Sequence, residues 1–429
     1  MKANKVTFGV FAASAALLLG ACGGSNDSTA DSTASSEIAT EVSEGTTVTF
    51  WHAMNGAQEE ELVSLTQEFM DANPNITIEL QNQSQYSDLQ AKINSTLPSP
   101  KDLPTITQAY PGWLYSAATD GMLVDLQDYI DNTDIGWGDQ EAIREPLMEG
   151  AQIDGTQYGI PFNKSTEMLF YNADMLAEYG VEVPTTFEEL AEASKTIYEQ
   201  SNGEVVGAGF DSLNNYYAIG MENAGVDFNA DLDFAGDESK EVINYYADGV
   251  KEGYFRIAGS DSYLSGPFAN EQVAMFIGSI AGEGYVKKDT EGVFEYGVAT
   301  RPAEMNLQQG TDIYMFDSAS SEERTAAFEY MKFLTSPESQ LDWAVNTGYM
   351  PVVESVLTST EYLDNPETKV PAELGQATAH LFSIPVAQSS DAAYNETRAI
   401  MENILSNTDQ DTDQLIEDSV SQFQDAWNQ

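Results

Sequence analysis

The chain has one cysteine and two histidines in 429 residues, and only 17 Lys plus Arg against 70 Asp plus Glu. A single cysteine forbids an internal disulfide, and Cys22 with His52 and His380 cannot build a closed structural zinc site. The scarcity of cations gives a formal charge of −53 and a pI near 4.1, which repels phosphate backbones and anionic lipid and so excludes nucleic-acid binding. The strings G-x-S-x-G, H-E-x-x-H and G-x-x-x-x-G-K-[ST] are missing, so nucleophile-elbow hydrolases, zincins and P-loop ATPases lack their signatures. With only 15 prolines, 42% hydrophobic and 10% aromatic residues, the chain as a whole is neither a disordered polymer nor a collagen nor a bundle of membrane spans. What remains is a globular protein long enough for two lobes of ordinary size.

The amino terminus begins with Lys2 and Lys5, continues as an apolar run from Val6 to Leu19, and ends in small residues at Cys22. That is the pattern of a secretion signal, and the run is too short for a span, which needs about 20 residues. The string Leu19 to Cys22, LGAC, resembles the lipobox of bacterial lipoproteins, which implies a signal peptide over 1–21 and a lipid on Cys22. A plain signal peptide with a leftover thiol is the alternative. Residues 22–45 are almost wholly Gly, Ser, Thr, Ala and acids, and are expected to be a flexible tether. Loss of the leader removes two lysines and no acid, so the mature chain is more negative still, a charge suited to a soluble monomer.

The body opens with a β-rich run, Val48 to His52, a helical stretch with Leu62, Leu65, Phe69 and Met70 on one face, and an alternating strand through Ile76, Ile78 and Leu80. Strand, helix and strand in this span predict a βαβ unit and a parallel sheet. A second helix is expected over Ser87 to Ser95, and a strand over Thr105 to Tyr110 that ends in aromatics at a Pro111-Gly112 turn. Open α/β sheets bind ligands at such strand ends, which marks Tyr110, Trp113 and Tyr115. Tyr158 to Asn172 reads as one long extended run passing between lobes. Strands and helices alternate through the rest, and the stretch from Pro337 turns mostly helical.

Five strings in order, FWHAMNG (Phe50 to Gly56), ANPNITI (from Ala72), IPFNKSTEMLFYN (Ile160 to Asn172), FANEQVAMFIGSIAG (Phe268 to Gly282) and NTGYMPV (Asn346 to Val352), resemble the extracellular solute-binding proteins of bacterial carbohydrate-type ABC importers. The nearest subgroup is that of the glycerol-3-phosphate and glycerophosphodiester binders. The resemblance implies a periplasmic-binding-protein-like (Venus flytrap) α/β fold, with an N-terminal lobe from 46–166 and 298–336 and a C-terminal lobe from 167–297 and 337–429. It puts the inter-lobe crossings near Lys164 to Met168, Tyr296 to Ala299 and Ser336. It implies a small polyhydroxylated solute, glycerol-3-phosphate type or saccharide, delivered to ABC permease subunits from the outer face of the cytoplasmic membrane, with no cofactor, metal or catalysis. The family's phosphoglycerol contacts fall on Tyr86, Ser165, Ser279, Gly310, Tyr349 and Arg398. Where the subgroup has an acid after its tyrosine, this chain has Tyr110-Pro111. Where it has paired tryptophans, this chain has FDSLNNYYAIG (Phe210 to Gly220), so Asn214, Asn215, Tyr216 and Tyr217 are read as a sugar-compatible wall.

Each assignment has a plainer counterpart. Arg398 either forks onto a phosphate or pairs with Glu402 one turn on. Ser165 and Ser279 are ordinary cap or turn residues without the family strings, and Tyr349 is otherwise core. His52 is read as a hydrogen-bonded structural histidine, since no partner for acid–base work stands beside it. The run from Asp409 lacks the Gly and Glu of a calcium loop and reads as a solvated helix start. Two rival functions stay open on residue counts alone: a surface glycoside hydrolase, which needs only two carboxylates, and a cell-surface adhesin.

Overall fold

A computed structural model describes residues 38–428; the leader and Cys22 lie outside them. Strand β1 (Thr46–His52) is followed by helix α1 (Ala57–Ala72), β2 (Ile76–Asn82), α2 (Tyr86–Thr96) and β3 (Ile106–Ala109). Further on come β4 (Gly159–Ser165), β5 (Glu167–Asn172), β6 (Val206–Phe210), α3 (Leu213–Asn223), β7 (Phe255–Ile257), β8 (Val273–Ser279) and β9 (Tyr296–Thr300). The chain then forms β10 (Asn306–Leu307), β11 (Gln309–Met315), α4 (Ser321–Leu334), α5 (Pro337–Thr347), α6 (Val370–Ala377), β12 (Leu381–Phe382), α7 (Ser390–Leu405) and α8 (Thr412–Trp427).

Two five-stranded sheets result, ordered β2-β1-β3-β11-β4 and β9-β5-β8-β6-β7. β1 runs parallel to both β2 and β3, as the βαβ pattern predicts, because α1 carries the chain back over one face and buries Leu62, Leu65 and Phe69. β11 closes the first sheet antiparallel between β3 and β4. In the second sheet β5 lies antiparallel to β8 and β9 while β6 runs parallel to β8 and β7.

The extended run of 158–172 is two strands in different sheets, parted at Thr166. Every residue of β4 is buried, so neither strand shows the alternation that would have revealed the break. The second passage lies later than expected: Tyr296 to Ala299 is still inside β9, and the chain leaves that sheet only at Arg301, reaching the first at Gln309. Ser336 is no crossing. Its side chain caps α5, which packs along α1 with Trp343 against Phe162, so α5 sits with the first sheet although 337–429 was expected in the second lobe.

Residues 38–45 are not a free tether. Ile38 and Val42, the only aliphatic residues larger than alanine between 23 and 45, pack on the first lobe's core. The Thr325 hydroxyl donates to the Ala39 carbonyl (2.6 Å), and the Ser43 N–H donates to Glu322 (3.1 Å), Thr325 and Glu322 both lying on α4. Asp411 caps α8 by accepting from the Gln414 N–H, which makes the Asp409 run a helix start. Among the described residues no helix is long and apolar enough to cross a membrane.

Candidate functional site

On the first lobe, Tyr86, Tyr110 and Trp113 meet edge to face, with ring centroids 5.2 to 6.0 Å apart. Tyr86 opens α2, Tyr110 follows β3, and Trp113 sits in a short turn of helix begun by Pro111, so the Pro-Gly turn folds the third ring back onto the other two. The Tyr86 hydroxyl lies 3.4 Å from that of Tyr349, whose ring stacks on Trp343. Beneath them is a buried amide network. Asn163 Nδ2 donates to the Tyr86 hydroxyl (3.2 Å), while Asn163 Oδ1 accepts from Gln108 (3.1 Å) and from the Thr311 hydroxyl (2.8 Å). Burial pushes the phenols of Tyr86, Tyr110 and Tyr349 up, so all three stay neutral donors.

Gly310 adjoins this cluster with φ 84°, and a Cβ there would stand 2.0 Å from the Asn163 carbonyl oxygen. Only glycine permits that approach. Ser165 ends β4, buried opposite Gln309. Ser279 ends β8 opposite Glu167, and its hydroxyl accepts from the Ala281 N–H (3.3 Å) as a cap.

The second lobe contributes a buried charge pair where the chain changes sheets. Arg301 Nη1 and Glu167 Oε2 are 2.5 Å apart, both side chains 1% exposed. Glu167 Oε1 accepts from Asn215 (2.7 Å) and Gln309 (3.0 Å), so both carboxylate oxygens are occupied. The guanidinium lies over the Tyr216 ring, 5.1 Å from its centroid. Asp211, just past β6, accepts from the Ser212 and Tyr216 hydroxyls; burial, and then the nearby Glu167 charge, push its carboxyl up to about 7. Tyr394 on α7 donates its hydroxyl to Asn215.

The Phe210 to Gly220 run does not form one wall. It is helical from Leu213, and successive residues turn by about 100°, so four neighbours cannot share a face. Asn215 and Tyr216 reach the charge pair. Tyr217 instead points into the second lobe's core, bonded to the Ser239 hydroxyl (2.8 Å) beside Phe234, and Asn214 is buried without joining the Glu167 cluster. Arg398 is exposed on α7, one turn beyond Tyr394, and no bond to Glu402 forms part of its surroundings. Trp51 is tied to Gln81 (2.9 Å) away from the rings. His52 is buried, its Nδ1 accepting from the Met54 N–H (3.3 Å), and desolvation lowers its pKa to about 4.

Sequence reading missed Glu167, Arg301, Asp211, Asn163 and Gln108. Single acids among 70, and amides inside strands, carry no local pattern; only pairing across the sheet reveals them.

The family described as bacterial extracellular solute-binding protein matches residues 64–370. The sn-glycerol-3-phosphate-binding periplasmic proteins UgpB of Salmonella typhimurium and Escherichia coli (strain K12) are each 25% identical over 341 residues, covering 73% of this chain and 76% of theirs. Among solved structures, the GacH receptor of Streptomyces glaucescens superposes with a TM-score of 0.76 at 20% identity, covering 90% of this chain and 99% of that one. UgpB from Mycobacterium tuberculosis gives 0.75 at 19% identity, covering 89% and 98%. These two share the fold, and the match over residues 64–370 makes the chain a member of the bacterial extracellular solute-binding protein family.

Proposed function

We propose that this protein captures a small polyhydroxylated solute between its two lobes, closes on it, and hands it unchanged to the permease of an ABC importer. The observation that carries this is the ring cluster of Tyr86, Tyr110 and Trp113, held over buried amides of one lobe and placed near the strand passages to the other. Aromatic faces cover the carbon side of a sugar or polyol, and hydroxyls and amides satisfy its oxygens. Tyr349, Ser165, Gly310, Ser279 and Arg398 complete the contact set, with Asn215 in place of Asn214 and Tyr217. Relatives support the ligand class: the UgpB proteins are named for sn-glycerol-3-phosphate, and the solved structures hold acarbose and glycerophosphocholine.

The lobes divide at Thr166 and between Arg301 and Gln308, and solute favours the closed state because its contacts with both lobes exist together only there. The protein is a monomer, exported and held by a lipid on Cys22. We read it as a binding protein and not a glycoside hydrolase because the family it matches and the relatives are named for solute binding. A melting-shift screen of glycerol phosphates, glycerophosphodiesters and maltodextrins tests the reading. One class should raise the melting temperature, and Trp113→Ala should abolish the shift. Arg398→Ala should abolish it only for a phosphorylated solute. Flat curves across the panel, or turnover of chromogenic glycosides, refute the reading.

A further inference from the structure

We infer that Asp391 is a latch that holds the two lobes closed before any solute arrives. It rests on the proposed lobe closure, but its test needs no solute.

Helix α7 belongs to the second lobe: Ile400, Met401, Ile404 and Leu405 lie in the same core as Leu169 and Phe210. Its first turn nevertheless touches the first lobe. Gln90 Nε2, on α2, donates to Asp391 Oδ2 at 2.8 Å. Burial pushes the Asp391 carboxyl up, and the bonds from Gln90, from the Trp113 side chain beside it and from Asn395 work against that shift. Gly112, in the same turn as Trp113, comes so near that a Cβ there would stand 3.3 Å from the Asp391 Cβ. On its own helix, Asn395 Nδ2 donates to Asp391 Oδ2 (3.2 Å) from one turn on and fixes the carboxylate's direction. A carboxylate in the first turn of a 16-residue helix is favoured by the helix dipole, which offsets part of the cost of burying it against the other lobe.

The consequence is a built-in bias toward closure. A hydrogen bond to a charged acceptor is a net gain only while both lobes face each other, so it multiplies the closed-to-open ratio and leaves each lobe's fold alone. It also aims Trp113 at the ring cluster, which makes Asp391 a positioning residue for the site.

The experiment is a distance measurement on the unliganded full chain, with spin labels at Lys101→Cys and Lys251→Cys in a Cys22→Ser background, both lysines being exposed and on different lobes. The wild type should show a short-distance population. Asp391→Ala should cut the closed-to-open ratio roughly tenfold, the effect of one charge-assisted bond. Gln90→Ala, which removes the donor from the opposite lobe and leaves α7 untouched, should do about the same. The double variant should lose no more than either alone, and Asp391→Asn, which keeps an acceptor oxygen, should recover part of the short population. Distributions for Asp391→Ala and Gln90→Ala that superimpose on the wild type overturn the inference, as does a wild type with no short-distance population.

Discussion

Arg301→Ala strips the Glu167 carboxylate of its counter-charge in a place water does not reach. The two side chains are 2.5 Å apart and 1% exposed, and burial already pushes the Glu167 carboxyl above its usual range while Arg301 pulls it back. Removing one partner of such a pair costs about 3–5 kcal/mol. A body of roughly 390 residues unfolds with an entropy of about 0.8 kcal/mol/K, so the melting temperature should fall by about 4–6 °C. The pH dependence has a definite sign. A carboxyl whose folded pKa lies above its unfolded value takes up a proton on folding, so the penalty vanishes below the unfolded value of about 4.3 and grows as pH rises through the folded one. The variant's deficit should therefore widen as pH rises above the unfolded value of about 4.3, read by scanning calorimetry. Glu167→Gln with Arg301→Met, a neutral pair of similar volume, should regain most of the loss. A deficit under about 1 °C at the higher pH, or one that does not change with pH, refutes the claim that the pair is desolvated and interdependent.

Two further outcomes follow from the first lobe. His52, with a folded pKa near 4, stays neutral where an unfolded histidine at about 6.5 would charge, so its contribution to stability is whole above about pH 6.5 and drains away as pH falls toward 4. With only two histidines in the chain, proton NMR should show one imidazole that does not titrate down to about pH 5, and a normal midpoint for both would contradict this burial. Gly310→Ala should cost at least about 2 kcal/mol, from left-handed backbone plus the clash with Asn163, and should weaken solute binding through the displaced Tyr86. Gly155→Ala, also left-handed but with open space around its Cβ, should cost about 1 kcal/mol and leave binding alone, so equal behaviour of the two variants would argue against the close approach.

Much of the architecture was legible because it is written locally. The first βαβ unit follows from the Ile76, Ile78, Leu80 alternation and the Leu62 to Met70 stripe, and the order of the five strings carries the rest. The site was half legible. Tyr86, Tyr110, Trp113, Gly310 and Tyr349 gather on one lobe; the strand end and the Pro-Gly turn mark Tyr110 and Trp113 locally, whereas Tyr86, Gly310 and Tyr349 are reached only through the resemblance. The other lobe's residues were not legible. Four successive residues of helix α3 read as one wall because its Asn and Tyr residues give no apolar period that would reveal the helix, and Glu167 and Arg301 lie 134 residues apart, meeting only where the chain passes between the sheets.

The docking of residues 38–45 on α4 has a mechanical meaning. Whatever precedes Ile38 joins the body at the first lobe, so a leash from the membrane would pull on that half alone. Under the proposed lipid anchor and lobe closure, the half bearing α7 and Arg398 would be the moving jaw.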